Sequence, residues 1–161
     1  MEAYLAQFKA GDPDACFSDP ALVGATFQLP DGAATTEISP VRVIVAVDAS
    51  GSMAGKVLSR LKLDLAKTAA AAFVEELPAT ADAGLLVFGE AGNNRADGKA
   101  QSCAAADLAV PMTRDRAALV RSVGSVRAVG WTPLASALKR AESLLGASDK
   151  PGEQIIYVVS D

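Results

Sequence analysis

The residues from Val41 to Val47 form an almost unbroken β-branched run that stops at Asp48. A run of this kind is typical of a central strand whose two faces are both buried, because it does not alternate apolar with polar residues. A strand buried on both faces needs helices packed on each side of its sheet. This stretch therefore indicates an α/β fold, with Asp48 placed at the carboxyl end of a central strand.

Further strands and helices alternate along the rest of the chain. Apolar residues from Leu58 to Phe73 recur at three- and four-residue steps and stop before Pro78, which predicts one long amphipathic helix. Strands separated by helical segments predict a doubly wound, mostly parallel α/β sheet. The other predicted elements are strands at Ala83–Phe88, around Leu108–Pro111 and at Ile155–Ser160, and helices at Arg114–Val123 and Pro133–Leu145.

The chain of 161 residues is long enough for one domain with its own core. Residues 1–40 are interpreted as an acidic, partly irregular leader, because they hold six acidic residues against one lysine. Residues 41–161 contain the predicted sheet. Its last strand is strongly apolar, and an open edge there would be an aggregation hazard. We therefore expect a further C-terminal segment or a second chain to complete the sheet.

The composition excludes several classes of site. The chain has no histidine and only two cysteines, Cys16 and Cys103. Zinc clusters, Ser-His-Asp triads and Cys-His dyads are therefore excluded. A net charge of −4 disfavours nucleic acid and anionic membranes as partners. No apolar run approaches the roughly 20 residues that cross a bilayer, so direct membrane insertion is not expected.

Carboxylate and hydroxyl side chains occupy three places in the predicted fold. Asp48, Ser50 and Ser52 follow the first strand, Thr132 precedes a predicted helix, and Asp161 follows the last strand. Ligands of doubly wound sheets lie beyond the carboxyl ends of the strands, where Asp48 and Asp161 are both placed. Hard oxygen donors suit Mg²⁺, with Mn²⁺ or Ca²⁺ as alternatives. An ion held by two carboxylates and three neutral hydroxyls stays electrophilic and is suited to binding an Asp or Glu carboxylate of a partner protein.

These motifs also carry a resemblance to a known family. The D-x-S-x-S loop that begins at Asp48, the Thr-Pro-Leu sequence that begins at Thr132 and the Ser-Asp pair that ends at Asp161 resemble the metal-ion-dependent adhesion site of von Willebrand factor type A domains. The resemblance covers residues 41–161. It implies that three hydroxyls contact the metal and that two carboxylates act directly or through water. The implied metal ligands are Asp48, Ser50, Ser52, Thr132 and Asp161.

The resemblance implies an adhesion or interaction module and not an enzyme. The segment from Cys103 onward looks most similar to bacterial extracytoplasmic members, which implies a periplasmic or secreted protein, with a cytoplasmic location as the alternative. Members of the family normally continue with two further strands and their helices after the Ser-Asp pair. The resemblance therefore implies that the C-terminal part of the fold lies outside this sequence.

Two other functions stay open as alternatives. A haloacid-dehalogenase-like phosphatase also has an Asp after its first apolar strand, but it needs a second Asp two positions later as general acid, where this chain has Ser50. A scaffold domain of the same family would leave its metal site vacant. The complete ligand set argues against that reading. We expect Asp48→Ala to abolish partner binding with little effect on folding, because the predicted position is a solvent-facing cleft.

Three features near the motifs are less specific. The polar stretch Gly89–Gln101 is predicted to be a flexible surface loop, with a variable loop used in recognition as the alternative. Trp131 is predicted to pack against its own loop, with a role in lining a partner surface as the alternative. Cys16 and Cys103 either form a disulfide in an oxidising compartment or remain free thiols.

Overall fold

A computed structural model describes residues 40–146 and 152–161 of the chain. The predicted leader, apart from Pro40, and Cys16 lie outside the described residues. In chain order the elements are β1 (Val41–Asp48), β2 (Lys56–Val57), β3 (Arg60–Leu61), α1 (Lys62–Glu76), β4 (Asp82–Phe88), α2 (Lys99–Ala104), β5 (Ala106–Thr113), α3 (Arg116–Ser125), α4 (Leu134–Leu145) and β6 (Glu153–Val159), with short 3₁₀ turns at Gly51–Ala54 and Ala96–Gly98.

The four long strands form one sheet in the order β5-β4-β1-β6. Strand β1 pairs in parallel with β4 on one side and with β6 on the other, and β5 joins β4 in the antiparallel sense. The predicted doubly wound, mostly parallel α/β sheet is confirmed. The chain moves from β1 to β4 on one side and returns to β6 on the other, so the strand order reverses between β1 and β6. Ligand sites of such sheets lie at this reversal.

Both faces of β1 are buried. Successive side chains of the strand point to opposite faces, and helices cover each of them. Val43, Val45 and Val47 pack with apolar residues of α1 and α3 on one face. Ile44 and Ala46 pack with residues of α4 on the other face. The helices therefore cover the two faces of the sheet and leave the carboxyl ends of β1 and β6 free to form a site.

The prediction of the first helix was wrong at its start. Residues 56–61 form a small antiparallel hairpin, in which Lys56 pairs with Leu61, and α1 begins at Lys62. Leu58 has a φ of 56° and is 98% exposed. Leu58, which the helical spacing placed on the apolar face of the helix, thus lies at the tip of the hairpin in solvent and forms no part of the core.

Other boundaries also differ from the prediction. The stretch predicted as a flexible loop contains the 3₁₀ turn Ala96–Gly98, and its last residues begin α2. Helix α3 begins at Arg116, two residues later than predicted, because Asp115 caps it: the Oδ1 of Asp115 accepts from the Ala118 N–H at 2.9 Å. Over the ranges 40–146 and 152–161, no helix has both the length and the hydrophobicity that crossing a membrane requires.

Candidate metal centre

Asp48 ends β1 and is fully buried. Its Oδ1 accepts a hydrogen bond from the backbone N–H of Ser50 at 2.7 Å, and its Oδ2 accepts from the Ser160 hydroxyl at 2.5 Å. The expectation of a solvent-facing position for Asp48 was therefore wrong. The strand that places this carboxylate runs through the centre of the sheet, so its last residue is covered by the loops that follow the neighbouring strands.

The other oxygens of the site continue from Asp48 toward solvent. The hydroxyls of Ser50 and Ser52 lie 3.1 Å apart, and the Ser52 hydroxyl donates to Oδ1 of Asp161 at 2.7 Å. Ser50 is buried, whereas Ser52 and Asp161 are exposed. Four of the five predicted ligands thus belong to one cluster of hydrogen bonds that joins the ends of β1 and β6.

Thr132 lies on a loop whose backbone is hydrogen-bonded to the serine loop. Gly130, two residues before it, accepts from the Gly51 N–H at 2.7 Å and donates to the carbonyl of Gly89 at 2.8 Å. The Thr132 side chain is exposed, and within the described part of the chain its hydroxyl takes no part in the hydrogen bonds of the other four ligands. The structure therefore places Thr132 beside the site without bringing its side chain into the cluster.

Two glycines let these loops approach one another. Gly89 has a φ of +78°, and a Cβ there would lie 2.3 Å from the carbonyl oxygen of Trp131. A Cβ at Gly130 would lie 2.2 Å from Oγ of Ser102 and 2.6 Å from the carbonyl oxygen of Ala91. Real Cβ atoms do not come this close to other heavy atoms, so larger residues at both positions would force the loops apart.

Helix α2 contacts the loop that carries Thr132. The buried Ser102 accepts a hydrogen bond from the Trp131 backbone N–H at 2.6 Å. The Trp131 indole N–H donates to the carbonyl of Arg95 at 3.0 Å, and Nζ of Lys99 lies 4.7 Å from its ring centroid. Trp131 therefore contacts the segment around α2, whereas it was predicted to pack against its own loop. Ser102 was not predicted, because a serine inside a polar stretch gives no sign of burial.

Lys62 is the second residue that the sequence did not single out. It begins α1, and its Nζ donates to Oδ2 of Asp161 at 2.6 Å. Because the Lys62 ammonium donates to it, and the Ser52 hydroxyl does so as well, the pKa of the Asp161 carboxyl lies below its ordinary value of 3.8. Asp161 is therefore ionised at neutral pH. A lysine at the start of an amphipathic helix is usually solvated, so the pattern gave no signal of this contact.

A further carboxyl follows β4. Burial raises the pKa of Glu90 above its ordinary value of 4.5, and the negative charge of Asp107 raises it further. Over residues 40–146 and 152–161, no three acidic or cysteine side chains gather closely enough to hold a metal by themselves. A cation at this edge would therefore depend on hydroxyl oxygens as well as on the carboxylates of Asp48 and Asp161.

The donor set fits a hard divalent cation. Asp48, Ser50, Ser52 and Asp161 offer side-chain oxygen atoms, and the hydrogen bonds that link these four residues are 2.7–3.1 Å long. Carboxylate and hydroxyl oxygens suit Mg²⁺, Mn²⁺ and Ca²⁺. The chain has no histidine, and no cysteine of the described residues belongs to the cluster, which disfavours softer metals. The chemistry of the site is thus compatible with the ion that the resemblance implies.

Comparison with known proteins identifies one family from the sequence. The family model of the von Willebrand factor type A domain matches residues 43–161. The Bacillus subtilis (strain 168) protein YwmC is 35% identical over 124 residues, which are 76% of this chain and 55% of that protein. A second protein of the same organism, YwmD, is 36% identical over 120 residues. The chain spans about half the length of these curated relatives.

Solved structures with the same fold include proteins from other bacteria. BatB from Bacteroides thetaiotaomicron is 26% identical, with a TM-score of 0.55 over 73% of this chain and 52% of that one. The vWF domain of the type V pili tip protein Mfa5 from Porphyromonas gingivalis has a TM-score of 0.56 at 18% identity, over 74% of this chain and 36% of that one. The likeness to Mfa5 concerns the fold alone.

Proposed function

Because the chain belongs to the von Willebrand factor type A domain family, whose members generally serve protein interaction, we propose that it binds a partner protein through a divalent cation. The cation is Mg²⁺, with Mn²⁺ or Ca²⁺ as alternatives. The partner supplies an Asp or Glu carboxylate. The proposed metal ligands are Asp48, Ser50, Ser52, Thr132 and Asp161.

One observation carries this proposal. A continuous set of hydrogen bonds joins Asp48 at the end of β1 to Ser52 and Asp161, which are exposed at the same edge of the sheet. The cluster therefore reaches from a buried carboxylate to the surface, where a ligand can approach it. When bound, the cation supplies a Lewis-acidic position at which an external carboxylate can bind.

The residues of the chain have separate tasks in this proposal. Asp48 supplies negative charge that two neutral donors hold in place, and Ser50 and Ser52 supply oxygens without adding charge. Asp161 supplies the second charge at the mouth of the site. Thr132 lies on a loop that the backbone of Gly130 holds next to the serine loop, and it would supply the third hydroxyl.

The first test measures binding of the metal alone. MnCl₂ is titrated into the full chain, and free Mn²⁺ is followed by electron paramagnetic resonance. We expect about one ion per chain, and we expect Asp48→Asn to weaken binding by at least about 100-fold, because even residues that only orient metal ligands contribute 10- to 100-fold. Asp64→Asn is the matched control, since Asp64 is an exposed acid on α1 away from the cluster. Absence of Mn²⁺ binding by the wild-type chain would favour the scaffold reading.

A second measurement addresses the partner. Peptide arrays in which acidic residues are exchanged one by one for their amides are probed with the chain in Mn²⁺ and in EDTA. Capture that needs both the cation and an Asp or Glu supports the proposal. Equal capture in EDTA contradicts it.

The phosphatase alternative has its own assay. Ser50, which stands where such an enzyme needs its general acid, is buried, and its backbone N–H donates to Asp48. We therefore expect no metal-dependent turnover of para-nitrophenyl phosphate. Turnover by the wild-type chain that is lost in Asp48→Asn would support the phosphatase hypothesis.

The proposed location is extracytoplasmic, either periplasmic or secreted. It follows from the resemblance of the motif-bearing C-terminal part to bacterial extracytoplasmic members of the family. Fractionation of the source cells, with detection of the full-length protein, tests this location directly. Recovery only with cytoplasmic markers would contradict it.

A further inference from the structure

Lys62 connects the hairpin, the first long helix and the candidate metal centre. Its backbone N–H donates to the carbonyl of Gly55 at 2.9 Å, which fixes the start of α1 next to the serine loop. Its Nζ lies 2.6 Å from Oδ2 of Asp161, while Oδ1 of the same carboxylate accepts from Ser52 at 2.7 Å. The carboxylate of Asp161 therefore forms an ion pair with the ammonium of Lys62.

The two carboxylates of the site differ in this respect. Both oxygens of Asp48 accept from neutral donors, the Ser50 N–H and the Ser160 hydroxyl. Asp161 is held by a full positive charge, and its side chain keeps 20% of its surface in solvent. A divalent ion that uses Asp161 therefore meets an ammonium on the same carboxylate, and the two like charges repel each other across a few ångströms.

The surroundings of Lys62 allow its ammonium to leave. Its side chain is 32% exposed, and it borders an apolar groove lined by Met53, Ala66 and Val159, among others. Long lysine stems commonly rest on apolar surface while the charged end moves in water. The ammonium can thus withdraw from Asp161 while the stem keeps its contacts with the groove.

We propose that Lys62 competes with the divalent cation for Asp161, so that cation binding is coupled to opening of the Lys62–Asp161 ion pair. This inference rests on the metal site proposed above. Lys62 is a residue that sets the affinity of the site and is not one of its ligands. The competition keeps the site of the chain weaker for divalent ions than its donor set alone would make it.

The test removes the positive charge and measures binding of Mn²⁺ alone. In the full chain, Lys62→Met keeps the length of the stem and should bind Mn²⁺ about tenfold more tightly, which is the order of effect expected from one like charge near a partly solvated dication. Lys62→Gln is equally uncharged but keeps a hydrogen-bond donor, and should behave like Lys62→Met. Lys62→Arg keeps the charge and should stay close to wild type.

Lys67→Met provides the matched control on the same helix. Its ammonium donates to the carbonyl of Gly124 at 2.9 Å, away from the metal ligands, so its loss should leave Mn²⁺ affinity unchanged. The gain in Lys62→Met should also shrink at high salt, because salt screens partly exposed charges. Thermal unfolding of each variant verifies that the chains compared are folded.

The possible outcomes separate the two proposals. If the wild-type chain binds Mn²⁺ and both uncharged variants bind it equally or more weakly, competition by Lys62 is refuted while the metal site stands. Weaker binding would identify Lys62 as a residue that orients Asp161. If neither the wild-type chain nor the uncharged variants bind Mn²⁺, the metal site itself is refuted, and with it this inference.

Discussion

The two carboxylates of the candidate metal centre are held in opposite ways. Asp48 is fully buried, and its donors are a backbone N–H of the loop that follows it and a hydroxyl at the end of the neighbouring strand. The side chain of Asp161 is partly exposed, and its donors are the ammonium of Lys62 and the hydroxyl of Ser52. One aspartate of the site is thus buried and held close to the ends of the strands, whereas the other is held by side chains near the surface.

This difference shows which part of the site the fold determines in advance. The buried end depends on loops that lie in contact through backbone hydrogen bonds, with glycines where no side chain fits. The exposed end depends on side chains that can exchange partners with a cation. Changes at the buried end should therefore alter both folding and binding, whereas changes at the exposed end should alter binding almost alone.

The largest effect on folding is expected from Gly130→Ala, which disrupts the buried end. Its Cβ would meet Ser102 and the carbonyl of Ala91 at distances no real Cβ adopts. Overpacking of this kind costs about 3 kcal/mol of unfolding free energy. The matched control is Gly124→Ala within α3, where nothing lies within 4 Å of the added atom. It should stabilise the chain by roughly 0.5–1 kcal/mol, because alanine is the better helix former. Urea unfolding of both variants measures the contrast.

A smaller effect is expected when the two carboxylates are removed in turn. Asp48→Ala leaves the buried Ser50 N–H and the Ser160 hydroxyl without their acceptor, which should cost about 2 kcal/mol. Asp161→Ala should change the unfolding free energy by less than about 0.5 kcal/mol, since exposed ion pairs contribute little. Both should lose Mn²⁺ binding. Equal stability of the two variants in chelator would remove the distinction between a buried and an exposed end.

The smallest effect is a dependence on pH that involves Asp161. Its pKa is lowered in the folded state, so its contribution to stability is present above the ordinary value of 3.8 and is lost as the pH falls through the lowered value. Melting temperatures of the wild-type chain and of Asp161→Asn, recorded in chelator, should therefore converge in acid. The same two curves should approach each other at high salt near neutral pH. A gap that widens in acid would have the wrong sign for this ion pair.

Much of the fold and of the candidate site could be predicted because it is encoded locally. The β-branched residues from Val41 to Val47 specify a central strand wherever they pack, and the residue after them must lie at the edge of the sheet. The apolar residues of 155–159 specify β6 in the same way and place Asp161 beside Asp48. The hairpin at Lys56–Leu61 was not predicted because Leu58 fits the helical spacing of the apolar residues that follow it in the sequence.

What only the tertiary structure decided are the contacts between distant parts of the chain. Ser52 and Asp161 are 109 positions apart, and Lys62 and Asp161 are 99 apart. The burial of Asp48 and Ser102 and the partner of Lys62 depend on how the segments after β1, β4, α3 and β6 meet, and no local pattern records this. A sequence determines which side chains are available at the end of each strand. The packing of the sheet and helices determines which of them form hydrogen bonds or ion pairs with each other and which remain in solvent.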